Sequence, residues 1–138
     1  MTTDHVHFVL DSFALIALFK DEPAAEAVSS LLTRAREGEV ALSMSAANLG
    51  EAFYLTAWDS SAEQAGDILS KIDQLSISFL DVDRTLALNA ASLKARYRMS
   101  YADCIAAALA QQLDAAVVTG DPEFRQVEHL IRIEWLPQ

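Results

Sequence analysis

The feature that most constrains this chain is the alternation of short apolar runs with longer helical segments. VHFVL (6–10), VALSM (40–44), ISFLDV (77–82), AAVVT (115–119) and IRIEW (131–135) read as strands. FALIALFK continues from Asp11 with helical character up to the DEP break at 21–23, and Pro23 then opens a helix that Gly38 stops. Ser45 to Trp58 is expected to be helical, as is the segment from Ser60, where Ser60 and Glu63 form a capping-box pattern. Asp83 can cap a helix running to about Arg98, Ser100 starts another, and GDPEF turns into a short helix before a last edge strand. Strands separated by helices pair in parallel through right-handed crossovers, which predicts an α/β fold, a three-layer α/β/α sandwich with a central, mainly parallel sheet. At 138 residues, with no repeat or linker, residues 1–138 are expected to form a single domain.

An apolar fraction of 52%, with only 4 Gly and 3 Pro, excludes disorder. No apolar run approaches the roughly eighteen residues that span a bilayer, and MTTDHVHFVLD is not a signal peptide, so a cytoplasmic protein with no membrane partner is expected. The lone Cys104 has no disulfide partner and no zinc-ligand spacing around it; its expected role is that of a small buried hydrophobe. A net charge of -10 argues against an extended basic surface for nucleic acid. It leaves a nuclease open, because divalent cations in an acidic pocket reverse the local field.

In open parallel sheets, sites form beyond the carboxyl ends of the strands. Asp11 ends the first strand and Asp121 follows AAVVT, while Glu51 and Asp103 lie within about two turns of helix starts near the same rim. Three of these acids also have a purely structural reading. Asp11 can cap FALIALF, Asp103 completes an S-x-x-D box with Ser100, and Asp121 before Pro122 suits an N-cap. Glu51 has no capping role. Four converging carboxylates would suit Mg²⁺ or Mn²⁺, and two such ions roughly 3.5–4 Å apart can serve an in-line phosphodiester displacement. No Ser-His-Asp arrangement competes, and His5, His7 and His129 are read as surface or structural.

VLDSFALIALF, SAANLGEAFY and MSYADCIAAALAQQLDAAVVTGDPEF together resemble the PIN domain, and within it the VapC-like toxins of bacterial toxin–antitoxin pairs. The resemblance implies that Asp11, Glu51, Asp103 and Asp121 are the catalytic and metal-binding acids, supported by the hydroxyls of Ser12 and Thr119. It implies a Mg²⁺- or Mn²⁺-dependent endoribonuclease that cleaves its RNA substrate with a metal-activated water, leaving a 5′-phosphate and a 3′-hydroxyl. It further implies a homodimer silenced by a cognate antitoxin with a basic C-terminal segment. The alternative is a PIN-fold binding module or RNA-processing factor whose acidic pocket receives a basic peptide. A receiver domain would need a second acid after Asp11 and a lysine in TGDPEF, and a haloacid-dehalogenase-type phosphatase would need an acid at Phe13; none of these is present. Lys94, Arg96 and Arg98, the basic group nearest the Asp103 helix, are read as either a solvated helix end or a phosphate contact and are left out of the site, and Trp58 and Trp135 are read as packing or dimer residues rather than base-stacking platforms.

Overall fold

The computed structural model describes residues 6–20 and 23–137; His5 and the first two residues of the DEP break lie outside them. Along the chain run β1 (Val6–Leu10), α1 (Ser12–Phe19), α2 (Pro23–Arg36), β2 (Val40–Ser45), α3 (Ala46–Asp59), α4 (Ala62–Ile72) and β3 (Ser78–Leu80). They are followed by α5 (Arg84–Arg96), α6 (Tyr101–Leu113), β4 (Ala116–Thr119), a 3₁₀ turn (Pro122–Val127) and β5 (Ile133–Trp135). The strands order as β3-β2-β1-β4-β5, and every neighbouring pair is parallel.

The period of two along β1 explains the layers. Phe8 and Leu10 enter one apolar cluster with Leu15, Val28, Met44 and Ile68, from α1, α2, β2 and α4. Val9 points the other way, to Leu86, Leu109, Val117 and Phe124. Both faces of the sheet are therefore covered, as parallel strands require. Helix α3 contributes Ala52 to the first cluster and Ala47 to the second, so it bridges the two layers.

Local chemistry sets most boundaries, and it moves some from where the sequence suggests. Ser45 caps α3 by accepting from the Asn48 N–H, and Asp83 caps α5 by accepting from that of Leu86. The cap of α4 is Ser61, accepting from Gln64, not the expected Ser60 with Glu63. Ser60 is still engaged by the preceding helix, its N–H donating to the Thr56 carbonyl at 2.9 Å. Helix α5 stops at Arg96 rather than Arg98, because Tyr97 turns extended and the Lys94 ammonium donates to the Met99 carbonyl at 2.9 Å, fixing the turn. Among the described residues, no helix is long and apolar enough to cross a membrane.

Candidate active site

The strand order reverses between β1 and β4, so the connections that leave their paired carboxyl ends run to opposite faces of the sheet and leave a crevice. A cleft of about 550 Å³ occupies that position, with Asp11, Glu51, Asp103, Asp121 and Glu123 in its wall.

Asp11 is 1% exposed. One carboxylate oxygen caps α1, accepting from the Ala14 N–H at 2.9 Å, and the other accepts a short bond from the Thr119 hydroxyl. The structural and functional readings of Asp11 are therefore compatible, since a cap uses only one oxygen. Burial raises its carboxyl to about 7; the bonds from Thr119 and Ala14 oppose this, while Asp121 and Glu51 add to it. Thr119, fully buried, also accepts from the Asp121 N–H at 3.0 Å, so one hydroxyl ties together the two acids that follow β1 and β4.

Asp103 is 6% exposed. Its N–H donates to the capping Ser100 hydroxyl at 3.1 Å, while its carboxyl meets Glu123 and Asp121. Burial raises it to about 9, and hydrogen bonding to Glu123 and the charges of Asp121 and Asp11 push the same way. Asp121 caps the 3₁₀ turn, accepting from the Glu123 N–H at 2.9 Å. Glu51 is half-buried on α3 and accepts from the Tyr54 hydroxyl at 3.4 Å.

Two contributors escape a reading of the sequence. Glu123 offers an oxygen that lies within 4.8 Å of oxygens from Asp103 and Asp121. Its position two residues past Asp121, across Pro122 in a tight turn, is the signal that could have found it. Asn48, fully buried, is the organiser behind the acids. It accepts from the Ser45 hydroxyl at 2.6 Å and donates to the Ser12 hydroxyl at 3.4 Å and the Ala102 carbonyl at 3.1 Å, joining α3 to α1 and α6. Ser12 is spent in the same network, its hydroxyl donating to the Asn48 carbonyl at 3.1 Å.

Lys20 is the one cation among the described residues lining the cleft. Among the described residues no cation is paired with the buried carboxylates, so burial raises their proton affinities without a counterion to oppose it. An all-oxygen donor set with uncompensated charge fits a hard divalent ion such as Mg²⁺ or Mn²⁺ and does not fit a soft one.

The other groups singled out by sequence lie elsewhere. His7 bonds Ser43 at 2.9 Å and His129 bonds Tyr97 at 3.1 Å, away from the cleft. Arg96 lies over the Tyr97 ring at 5.3 Å, and the backbone of Arg98 is held by Gln126. Cys104 is fully buried. Trp135 lies under Arg125 at 5.2 Å. Trp58 departs from a packing role within the fold: it is 76% exposed, resting on Tyr54 with ring centroids 4.8 Å apart.

The PIN domain family model matches residues 8–130. A comparison with curated proteins finds no match. Among solved structures, VapBC2 from Rickettsia felis bound to a promoter DNA fragment superposes with a TM-score of 0.74 at 16% identity, covering 96% of this chain and 100% of that one. VapC20 from Mycobacterium tuberculosis, a sarcin-ricin loop cleaving toxin, gives 0.74 at 15% identity over 94% and 99%. DNA-bound VapBC from Salmonella typhimurium gives 0.69 at 22% identity over 94% and 97%. At these identities the likeness is one of fold.

Proposed function

This chain belongs to the PIN domain family, and from that premise we propose that it is a Mg²⁺- or Mn²⁺-dependent endoribonuclease, the toxin of a VapBC-type toxin–antitoxin module. The observation that carries the reading is the meeting of Asp11, Glu51, Asp103 and Asp121 in one cleft at the carboxyl ends of β1 and β4, with Lys20 the one cation among the described residues of its lining. Asp11, Asp103 and Asp121, with Glu51 on the facing helix, would hold the metal. When bound, it supplies the positive charge that admits an RNA phosphate and activates water for hydrolysis. The chain's own part is positioning. Thr119 orients Asp11 and the Asp121 backbone together, and Asn48 with Ser12 locks α1, α3 and α6 so that the acids they carry stay in register.

Structures similar in fold include a toxin–antitoxin complex from Klebsiella pneumoniae and a member of the VapBC family of toxin–antitoxin systems, VapBC-5. For this chain we infer a cognate antitoxin with a basic C-terminal segment, whose Arg or Lys would neutralise the same carboxylates, and a homodimeric toxin. The test is cleavage of an RNA panel by metal-stripped protein, freed of any partner, in EDTA and after Mn²⁺ is restored. Activity should be absent in EDTA and return with Mn²⁺. Undiminished cleavage in EDTA would refute metal dependence. No cleavage with Mn²⁺, together with tight binding of an arginine-bearing peptide, would establish the binding-module reading instead.

A further inference from the structure

On α3, Glu51, Tyr54, Leu55 and Trp58 stand at i, i+3, i+4 and i+7 and share one face of the helix. Glu51 and Leu55 line the cleft, so that face leads out of it, ending at Trp58 about 10 Å along the axis from Glu51. Tyr54 is 41% exposed and Trp58 76%; their rings lie 4.8 Å apart, and the Tyr54 hydroxyl is anchored on Glu51. Lys20, which lines the cleft, reaches toward Asp59, the residue after Trp58, at 3.7 Å. The two exposed rings thus stand just outside the cleft wall, near its lysine.

We propose that Tyr54 and Trp58 form a base-stacking platform for an unpaired nucleotide of the RNA strand entering the cleft, an inference that rests on the nuclease reading. The charge balance favours this occupant. A chain of net charge -10, with one cation among the described residues lining its cleft, offers few phosphate contacts beyond those a bound metal would supply, so contacts to the bases would add to binding. Exposed aromatic rings supply that contact for any base with a free face, which requires a single strand. An indole left in water without a partner gains nothing from the fold, and Tyr54 covers only one side of it.

The test has two arms. In steady-state cleavage of a single-stranded RNA with Mn²⁺, Trp58→Ala should raise KM roughly tenfold or more with kcat little changed, and Trp58→Phe should restore most of the loss. In an Asp103→Asn, Trp135→Phe background, where RNA stays intact and Trp58 is the only indole, oligoadenylate should quench its fluorescence and a duplex of the same length should not. Cleavage whose KM is indifferent to Trp58, or quenching absent while RNA is bound, overturns the platform and leaves the nuclease standing. Trp58→Ala that leaves KM unchanged but dissociates a homodimer or releases a co-expressed antitoxin also overturns it, assigning the rings to a protein interface. A wild-type protein that cleaves no RNA removes both readings.

Discussion

Asp103 shows how one residue serves two ends. Its backbone N–H completes the Ser100 cap, while its carboxyl meets Asp121 and Glu123 in a residue only 6% exposed. A residue needed only for capping would lose roughly 0.5–1 kcal/mol on neutralisation, through the lost charge at a helix N-terminus. A carboxyl crowded by other acids responds with the opposite sign. With its proton affinity raised to about 9, Asp103 holds its proton at neutral pH when no metal is present, and Asn offers a similar donor to its neighbours without the penalty of ionising in a buried site. Asp103→Asn is therefore expected to raise Tm in EDTA, by more at pH 9 than at pH 7, and to shrink the stabilisation gained from Mn²⁺. Cleavage should fall at least roughly a hundredfold, beyond the loss typical of a residue that only orients a ligand. Thermal melts at both pH values, with and without Mn²⁺, decide between the two; a variant less stable in EDTA and fully stabilised by Mn²⁺ would make Asp103 a cap alone.

The turn after β4 is the element on which the site hinges. A Cβ on Gly120 would lie 2.4 and 2.5 Å from two carbons of the Phe13 ring, so the ring packs onto the Thr119–Asp121 turn where residue 120 has no side chain. Gly120→Ala should force Phe13 aside and disturb the Asp11 cap, costing about 1–3 kcal/mol and lowering cleavage together with Tm. Pairing it with Phe13→Ala should recover part of the cost, a coupling that a double-mutant cycle measures; strictly additive losses would show that the clash is absorbed elsewhere. The same elements show what a sequence makes legible. The buried strands β1, β2 and β4 announce themselves as apolar runs, and Asp11 and Asp121 follow from being at their ends. The edge strand β3 is shorter than ISFLDV because it pairs only with Ser43–Ser45 of β2, and pairing length is not written in its own residues. The cap of α4 shifts by one because Ser60 and Ser61 suit it equally, and only the last turn of α3 distinguishes them. Glu51 and Asp103 could be picked out as acids on helices near the rim. Asn48 could not, since the partners it ties across elements lie 36 and 54 residues away and its bond to nearby Ser45 carries no sign of them.

At the scale of the whole molecule, the excess of acids is expected to make stability depend on both pH and added metal. Asp11 and Asp103 have folded-state proton affinities raised from 3.8 to about 7 and about 9. A carboxyl shifted in this direction binds more protons folded than unfolded, so its stabilising contribution is complete below about 4 and is lost as pH rises through its folded value. In EDTA, wild-type stability should thus carry a component that declines between about pH 4 and 9, through both carboxyls up to about 7 and through Asp103 alone above it. A divalent ion needs these carboxylates ionised, so saturating Mn²⁺ should reverse the trend and add most stability at the alkaline end of the window. The remaining acids titrate in every variant, and comparison with Asp11→Asn/Asp103→Asn removes them. Urea midpoints of the two proteins in EDTA should diverge as pH rises from 5 to 9, with the double variant increasingly the more stable, and Mn²⁺ should stabilise the wild type alone. A difference that stays flat across this range would mean that the two carboxylates are already compensated in the folded chain, and that the cleft they line is not the cation site.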